Sequence, residues 1–415
     1  MNKLIYSNYF NKEENIIIKF NFFFNFKFFI KIILFQILFF LLFFSNKREI
    51  KFKFFNKNYF KKIKTNKSYN KSFVNKYLPN DKKMNIITKN ISYIDIDNEF
   101  DLYENNIDYS NYSTEIKTIA LYLPQYHFIK ENDQWWEKNF TEWTKVKRAK
   151  PLYLGHYQPR KPGDEIHYLG YYYLTNSETI KKQVKLAKSH GIYGFGIYYY
   201  WFSGKRLLEK PLDIYLENKD INFPFLLIWA NENWSRAWDG SNDMILIKQE
   251  YKKDDPENFI KDIKKYVIDE RYIKINDKPV IGIYEPFNIP NLKETLLIWR
   301  NKSKEIGIGE IYIIFCITSY RFKNFKDLNI FDAAYDFPPR NNIVLKFQKK
   351  YYALYNTLIY KNINFIKIKN EFPIFRGSML EWDNSPRTGK NGLFFKGYSP
   401  EKFYYLIFNS LINLF

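Results

Sequence analysis

Residues 178–202 read ETIKKQVKLAKSHGIYGFGIYYYWF, and this stretch decides the fold class. Its first half has the apolar spacing of an amphipathic helix over 178–190, and Gly191 follows as a helix-ending glycine. Residues 194–201 are then apolar without alternation, which is typical of a parallel strand that is buried on both faces. A helix that leads directly into such a strand predicts an α/β architecture.

The same unit recurs along the chain after residue 118. Continuous apolar runs occupy 118–123, 194–201, 225–230, 280–284 and 311–317, and two weaker runs follow at 331–337 and 372–377. A second helical pattern lies at 258–267. Repeated strand–helix units with no glycine-rich phosphate loop after the first strand favour a (β/α)8 barrel of the TIM type over a doubly wound sheet. Residues 400–415 read as the helix after the seventh strand, so we expect the barrel to be truncated before strand eight.

The first 115 residues differ in composition from the rest of the chain. All 15 glycines lie at or after Gly155 and all 9 tryptophans at or after Trp135, which leaves the N-terminal part few means of making tight turns or specific packing. We predict an N-terminal tail over 1–27, a transmembrane anchor over 28–44, a polar, Lys/Asn-rich and mostly disordered tether over 45–115, and the barrel over 116–415.

The predicted anchor at 28–44 reads FFIKIILFQILFFLLFF, in which only Lys31 and Gln36 are not apolar. At about 1.5 Å per residue, a helix of this length approaches the roughly 30 Å hydrocarbon core of a bilayer. A cleaved signal peptide and an interfacial helix are the alternatives, although no small residues follow the segment for cleavage. The basic side chains after the segment favour a cytosolic barrel by the positive-inside rule.

The chain has a net charge of +21 and a single cysteine, Cys316. Its lysines are dispersed and show no zinc-finger or helix-turn-helix spacing, which argues against a nucleic-acid partner. An anionic membrane surface or simple solvation accounts for the Lys-rich stretch at 57–71. One cysteine excludes an intrachain disulfide, and the four histidines show no metal-ligand spacing, so we predict neither a metal site nor a cofactor.

Most of the tryptophans fall in or beside the loops that follow the predicted strands, which is where barrel enzymes carry their chemistry. These are Trp135, Trp136, Trp143, Trp201, Trp234, Trp238 and Trp382. Carboxylates and carboxamides flank them. Sugars need flat rings for their C–H faces and polar partners for their hydroxyls, so the sequence predicts an oligo- or polysaccharide ligand. A place in the core below the barrel mouth is the alternative for each tryptophan.

Several blocks, in the same order throughout, resemble the WbsX-like glycosyltransferase family and, more distantly, glycoside hydrolase family 99. They are ALYLPQYH (120–127), NDQWW (132–136), FTEWT (140–144), HYQPR (156–160), GIYGFGIYYYWF (191–202), WANENWSRAWDG (229–240) and EWDNSPR (381–387). The resemblance covers roughly residues 116–405 and implies a family-99-type barrel that builds or trims surface polysaccharide of the O-antigen kind. It also implies catalytic carboxylates on an eighth strand, which this sequence does not reach.

The candidate catalytic residues are Glu232, which follows the third predicted strand directly, and Asp383. The candidate substrate-binding residues are Gln125, His127, Trp135, Trp136, Glu142, Trp143, Trp201, Asn231, Asn233, Trp234, Trp238, Asp239, Trp382, Asn384 and Arg387. Glu232 is interpreted as a base or nucleophile in glycosyl transfer through an oxocarbenium-like transition state, or as a structural carboxylate that orients Arg236 or holds a sugar hydroxyl. An endo-mannosidase-like hydrolase and a non-catalytic glycan-binding protein are the alternative functions.

Overall fold

A computed structural model describes residues 116–152, 156, 162, 169–235, 244–318, 327–338, 352–354, 372–389, 392, 394–396, 403, 406 and 407. The predicted tail, anchor and tether at 1–115 therefore lie outside the described residues, and they stay predictions. Among the helices that are described, none has both the length and the apolar character needed to cross a bilayer. Of the predicted helix at 400–415, the described residues 403, 406 and 407 are helical.

The described part of the chain is built on one sheet that contains seven parallel strands in sequence order. These strands are β1 (Ile119–Tyr122), β2 (Gly194–Phe202), β4 (Phe225–Trp229), β8 (Lys278–Ile283), β9 (Tyr312–Ile317), β10 (Ala333–Asp336) and β12 (Ile374–Phe375). Each of the seven predicted runs overlaps one of them, with β2 ending one residue later and β8 beginning two residues earlier than predicted, and every neighbouring pair is parallel. This order is that of a TIM-like barrel wall, as the sequence predicts. Within the described residues, β1 and β12 each have one parallel neighbour, and the expectation of a missing eighth strand stays untested.

The strands are apolar without alternation because both of their faces are covered. All nine residues of β2 and all five of β4 are buried. On the inner face of the sheet, Ile228 fills the space that two glycines leave: a Cβ on Gly282 would lie 2.9 Å from Ile228 Cγ1, and one on Gly196 would lie 3.1 Å from Ile228 Cδ1. Glycine at these two positions therefore lets a large side chain pack inside the curved sheet.

Helices with one apolar face accompany the strands. The described helices are α1 (Lys130–Trp135), α2 (Glu142–Arg148), α3 (Ser177–Ser189), α4 (Lys210–Glu217), α5 (Asp255–Val267), α6 (Leu292–Glu305) and α7 (Ser385–Thr388). In α6, for example, Leu292, Leu296, Trp299 and Ser303 are buried, which is the spacing of one helix face. The predicted helices at 178–190 and 258–267 are confirmed as α3 and α5, and Gly191 after α3 has a φ of 73°.

Short additional strands either pair with this sheet or form separate two-stranded sheets. β3 (Lys205–Leu207) pairs with β2 and β7 (Lys274–Ile275) pairs with β8, both antiparallel. Two separate two-stranded sheets join β5 (Trp234–Ser235) to β6 (Ile245–Ile247), and β11 (Tyr352–Leu354) to β13 (Phe394–Lys396). The β5–β6 pair extends the loop that follows β4, so it brings Trp234 to the carboxyl-terminal edge of the parallel sheet.

Candidate functional site

A cleft of about 470 Å³, including the part open to solvent, lies where the segments after β1 and β4 meet α2 and α7. One set of lining residues is apolar: Trp135, Trp136, Phe140, Leu208, Trp234 and Leu246. The other set is polar: Gln125, Asn132, Glu142, Lys145, Ser235 and Arg387. Six of the residues predicted to bind substrate thus meet in one place: Gln125, Trp135, Trp136, Glu142, Trp234 and Arg387.

Three indoles form the apolar part of the cleft. Trp234 is 7% exposed and meets Trp135 edge-on, with ring centroids 5.7 Å apart. Trp234 is in turn held by an edge contact with Tyr200 at 5.3 Å. Trp136 is stacked against Phe140 at 5.5 Å, and Lys145 Nζ lies 4.1 Å from its ring centroid. Trp234 is therefore anchored in the protein, while Trp135 and Trp136 are only partly buried and offer ring surface to a ligand.

A charged network forms the polar part of the cleft. Arg387 Nε donates to Glu142 Oε2 at 3.1 Å, and Arg387 Nη2 lies 3.0 Å from Glu142 Oε1. The same Nη2 donates to Gln125 Oε1 at 3.3 Å, and Gln125 Nε2 donates to the Tyr200 hydroxyl at 2.6 Å. Burial opposes the charge of Arg387, but Glu142 outweighs that effect and raises the arginine's pKa. A bidentate pair of this kind holds both groups in fixed positions beside the indoles.

Local sequence explains why Glu142 stands at this point. It is the first residue of α2, where the helix dipole favours a negative charge. Thr141, which precedes the helix, donates its backbone N–H to Thr144 Oγ1 at 3.1 Å and so fixes the start of the helix. On the other side of the cleft, α7 begins at Ser385 and carries Arg387 inward. Neither helix is long, so both depend on these end contacts for their position.

Glu232, the predicted catalytic carboxylate, is half-buried three residues after β4 ends. Its charge acts on Tyr198 and Tyr200 of β2: burial is the main cause that raises the pKa of each phenol, and Glu232 adds to it. Glu232 is therefore near enough to these two tyrosines of β2 for its charge to act on both. No measurement of the structure tests its catalytic role, which stays a prediction.

The side chains of Asn231 and Asn233 form hydrogen bonds within the protein. Asn231 is 1% exposed; its Nδ2 donates to the Glu285 carbonyl at 2.8 Å and to the Tyr251 hydroxyl at 3.1 Å, while its Oδ1 accepts from Glu285 N at 2.8 Å. Asn233 Oδ1 accepts from Gln249 N at 2.6 Å. These contacts tie the loop after β4 to the loop after β8 and to the segment after β6, so the geometry favours a positioning role over direct sugar contact.

The carboxylate of Asp383 also contacts groups within the protein. Its Oδ1 accepts from Ser385 N at 2.8 Å, and its Oδ2 lies 3.6 Å from His156 Nε2. Because His156 Nδ1 accepts the Leu152 N–H at 2.9 Å, the ring carries its proton on Nε2, facing Asp383. Asn384 is the N-cap residue of α7, and its carbonyl accepts from Arg387 N at 3.0 Å. Asp383 and Asn384 thus place α7, and Arg387 with it.

Four other predicted residues lie away from the cleft lining. Trp201 is 1% exposed and packs edge-on against Phe259 of α5, so its predicted sugar contact is corrected to a core position. Trp143 donates its Nε1–H to the Tyr172 carbonyl at 2.8 Å. His127 is buried, and this burial lowers its pKa to about 4, so it is neutral at pH 7. Trp382 is exposed on the segment before α7. The predicted residues Trp238 and Asp239 lie outside the described residues.

Sequence reasoning missed several members of the site. Asn132 and Lys145 line the cleft from α1 and α2, and Ser235 lines it from β5. Asn132 and Lys145 stand three residues before Trp135 and three after Glu142, a helical spacing that could have found them. Asp336 ends β10 in a buried position, where burial raises its pKa to about 6 against the opposing charge of Arg376. Asp336 does not line the described cleft, and a carboxylic acid of that pKa at a strand end has the chemistry of a proton donor.

Comparison with solved structures gives similarities at low sequence identity. A glycoside hydrolase-like protein aligns over 58% of this chain and 73% of its own, with 15% identity and a TM-score of 0.41. The GH99 endo-α-mannosidase of Bacteroides thetaiotaomicron, in complex with bis-tris-propane, aligns over 72% of this chain and 81% of its own, with 10% identity and a TM-score of 0.44.

Comparison of sequences gives a closer relationship. Two WxcX proteins, from two strains of Xanthomonas campestris pv. campestris, are 35% and 34% identical to this chain over 293 residues. The alignment covers 69% of this chain and 41% of the relatives, so the chain spans about two fifths of their length. The model of the family described as glycosyltransferase WbsX matches residues 118–413. The chain therefore belongs to the WbsX glycosyltransferase family.

Proposed function

We propose that this chain is a carbohydrate-active enzyme that transfers a sugar during the synthesis of a surface polysaccharide, and that the cleft holds the saccharide. The observation that carries the proposal is the meeting of three indoles with the Arg387–Glu142–Gln125 network in one cleft. Indole surface suits the C–H faces of sugar rings, and a fixed array of charged and amide groups suits their hydroxyls. Family membership supports the same substrate class.

In the proposed reaction, Glu232 is the base that takes a proton from the acceptor hydroxyl. Glu232 lies outside the described lining of the cleft, so the acceptor hydroxyl would reach it from the Tyr200 end of the polar network, on which its charge acts. The freed oxygen then attacks the anomeric carbon of the donor sugar while the bond to the leaving group breaks. Positive charge that develops on the sugar ring in the oxocarbenium-like transition state is stabilised by nearby carboxylates. Glu142 and Arg387 hold the acceptor, and Tyr200 fixes Gln125 through its 2.6 Å hydrogen bond.

Binding is tested with Trp136→Ala on a glycan array, followed by calorimetric titration of the glycans that bind. Removing the indole should weaken affinity by about 1–3 kcal/mol, the range for a buried aromatic contact. Phe128→Ala is the matched control, because Phe128 is an exposed aromatic residue that does not line the cleft. Equal binding by both variants and the parent would remove the cleft from consideration as the saccharide site.

Turnover is tested with a labelled oligosaccharide that binds, in the presence of sugar nucleotides. Lengthened products support transfer, shortened products support the hydrolase alternative, and unchanged glycan with intact binding supports the binding-protein alternative. Glu232→Gln should lower kcat about 10²–10⁴-fold, the usual contribution of an acid–base group. Glu217→Gln, an exposed glutamate at the end of α4, should keep the parent rate.

We also propose that residues 28–44 hold the chain at a membrane. Their length and apolar composition support a single-pass anchor, and the basic residues after them support a cytosolic position for the catalytic part. On that side, the cleft would meet nucleotide- or lipid-linked sugars rather than finished glycans. This arrangement is consistent with transfer during polysaccharide synthesis.

A further inference from the structure

The Tyr200 hydroxyl lies at the end of a chain of hydrogen bonds that starts at Arg387. Arg387 Nη2 donates to Gln125 Oε1 at 3.3 Å, and Gln125 Nε2 donates to the Tyr200 hydroxyl at 2.6 Å. A guanidinium group has N–H donors and no acceptor, so the amide of Gln125 must turn its oxygen to Arg387 and its NH₂ group to Tyr200. The direction of the hydrogen bonds along this chain therefore follows from the chemistry of Arg387.

This direction decides what the Tyr200 hydroxyl offers to a ligand. A phenol has one O–H donor and accepts hydrogen bonds through its oxygen. Because an N–H meets the hydroxyl on the Gln125 side, the oxygen accepts there and the hydrogen is directed to a different acceptor. The ring of Tyr200 is 6% exposed and is held by its edge contact with Trp234, with centroids 5.3 Å apart. Tyr200 is therefore a hydrogen-bond donor in a fixed position.

The strand register places Tyr200 beside the segment that carries Glu232. Tyr199 of β2 pairs with Trp229 of β4, and the Ala230 N–H donates to the Tyr199 carbonyl at 2.9 Å. Glu232 follows two residues after Ala230, which is at most about 7 Å of chain. Burial, and to a lesser extent the charge of Glu232, raises the pKa of the Tyr200 phenol. Tyr200 therefore keeps its proton at neutral pH, near the carboxylate that is proposed as the base.

We propose that Tyr200 is a further catalytic residue of the transfer reaction, whose O–H donates a hydrogen bond to the oxygen of the acceptor hydroxyl while that hydroxyl donates to Glu232. The proposal rests on the proposed function and adds one residue to it. The proton of the acceptor hydroxyl goes to Glu232, the oxygen forms its bond to the anomeric carbon, and the leaving group departs with the electron pair of the bond that breaks. Tyr200 keeps its own proton throughout. Its hydrogen bond holds the attacking oxygen in place and stabilises the negative charge that develops on it.

Two substitutions remove this donor in different ways. Tyr200→Phe deletes the hydroxyl. Gln125→Glu keeps the shape of the side chain but replaces its NH₂ group by a carboxylate oxygen, which accepts from Tyr200 and so turns the hydrogen away from the ligand. Tyr215→Phe is the matched control. Tyr215 is 2% exposed and donates to the Phe223 carbonyl at 2.5 Å, before β4 begins and so at the opposite end of the parallel sheet from the cleft.

The experiment measures steady-state kinetics of the full chain, with the acceptor concentration varied, on variants that thermal unfolding has shown to be folded. Tyr200→Phe and Gln125→Glu should each lower kcat and kcat/KM alike, by about 10–100-fold, because the hydrogen bond strengthens as charge develops on the oxygen. The double variant should be no slower than the slower single variant, since both substitutions remove the same interaction. Tyr215→Phe should keep the parent's kcat. If one of the two site variants fails to fold, the kcat of the other decides.

The outcomes separate this role from the proposed function. A parent-like kcat in Tyr200→Phe or in Gln125→Glu, a multiplied loss in the double variant, or an equal loss in Tyr215→Phe would overturn the role of Tyr200. Each of these results would leave the proposed function standing, because the parent still transfers sugar. Absence of transfer by the parent would overturn both.

Discussion

Asn231 stands next to the candidate base Glu232, yet its side chain connects two loops of its own protein. Three hydrogen bonds, two to the Glu285 backbone and one to Tyr251, use both of its donors and its acceptor oxygen. Asn231→Ala should lower the free energy of unfolding by about 2–3 kcal/mol, because it leaves a buried N–H and a buried carbonyl without partners. Urea unfolding measures this loss.

Asn233→Ala is the control for that substitution. Asn233 is exposed and accepts one hydrogen bond, from Gln249 N, so its loss should cost less than about 1 kcal/mol. A loss of stability as large as that of Asn231→Ala would show that the two asparagines are equivalent. The larger share of the positioning, which burial and three hydrogen bonds assign to Asn231, would then be wrong.

His127 makes the free energy of unfolding depend on pH. Its pKa is lowered from its ordinary value to about 4 because the ring is buried. Below about pH 6.5 the imidazole of His127 takes up a proton in the unfolded chain but not in the folded chain. Stability is therefore highest above that pH and falls as the pH drops towards 4. The full loss amounts to about 3 kcal/mol. Urea unfolding at several pH values should show a flatter profile for His127→Gln than for the parent.

A second titrating group, Asp336, has to be separated from that profile. Asp336 has a pKa raised to about 6 by burial, so its effect on stability has the opposite sign, with stability lost as the pH rises from about 4 to 6. Subtracting the variant's profile from the parent's removes this contribution, since both proteins contain Asp336. A His127→Gln profile parallel to the parent's would contradict the prediction.

At the residue scale, sequence could predict the types of side chain in the cleft better than their individual roles. Trp201 and Tyr200 are adjacent in β2 and point to opposite faces of the sheet, as neighbours in a strand must. Tyr200 joins the polar network of the cleft, while Trp201 packs against α5. A strand that is apolar on both faces shows no alternation of polar and apolar residues. The sequence therefore does not indicate towards which face of the sheet a tryptophan near the end of such a strand points.

At the element scale, two glycines of the stretch 178–202 differ in the reason why an added Cβ would destabilise the fold. Gly191 has a φ of 73° and no atom within 4 Å of an added Cβ, so Gly191→Ala should cost about 1 kcal/mol through backbone strain alone. A Cβ on Gly194 would lie 2.7 Å from the Pro224 carbonyl oxygen, a backbone atom that cannot turn aside. Gly194→Ala should therefore cost about 2–3 kcal/mol, the range for overpacking. Thermal or urea unfolding of both variants measures the difference, and equal costs would contradict it.

The main elements could be predicted because their signals are strong, and the small ones could not. Five continuous apolar runs and two weaker ones, at 331–337 and 372–377, predicted the seven parallel strands. The antiparallel strands β3 and β7 were missed because they have only three and two residues. Their signals lay in the turns: Ser203–Gly204 and Asn276–Asp277 all have positive φ, as two-residue hairpin turns require. Because serine, asparagine and aspartate are common throughout this chain, such a pair does not by itself identify a turn.

At the scale of the whole molecule, the cleft depends on contacts between distant parts of the chain. Arg387 contacts Gln125 across 262 residues and Glu142 across 245. The order of strands in the parallel sheet brings these segments to one edge, since the carboxyl ends of all seven strands lie together. A sequence pattern can place each residue after its strand, but only the folded arrangement of the sheet and its loops determines which of them meet. The pairing of Arg387 with Glu142 was therefore beyond sequence reasoning, although both residues were candidates.

The final prediction concerns residues 28–44. Fifteen of these 17 residues are apolar, and burying so many phenylalanine, leucine and isoleucine side chains is worth tens of kcal/mol, or roughly 1.5–3 kcal/mol for each fully buried side chain. The full chain should therefore stay in the membrane pellet after alkaline carbonate extraction. The double variant Ile37→Lys and Leu38→Lys places two charges at the middle of the segment, at a cost of about 2.5–3.5 kcal/mol each, and should move part of the protein into the supernatant. A matched double variant in the tether, Ile86→Lys and Ile87→Lys, changes charge equally outside the segment and should remain in the pellet. Recovery of the parent chain in the carbonate supernatant would overturn the anchor, and with it the proposed cytosolic arrangement of the cleft.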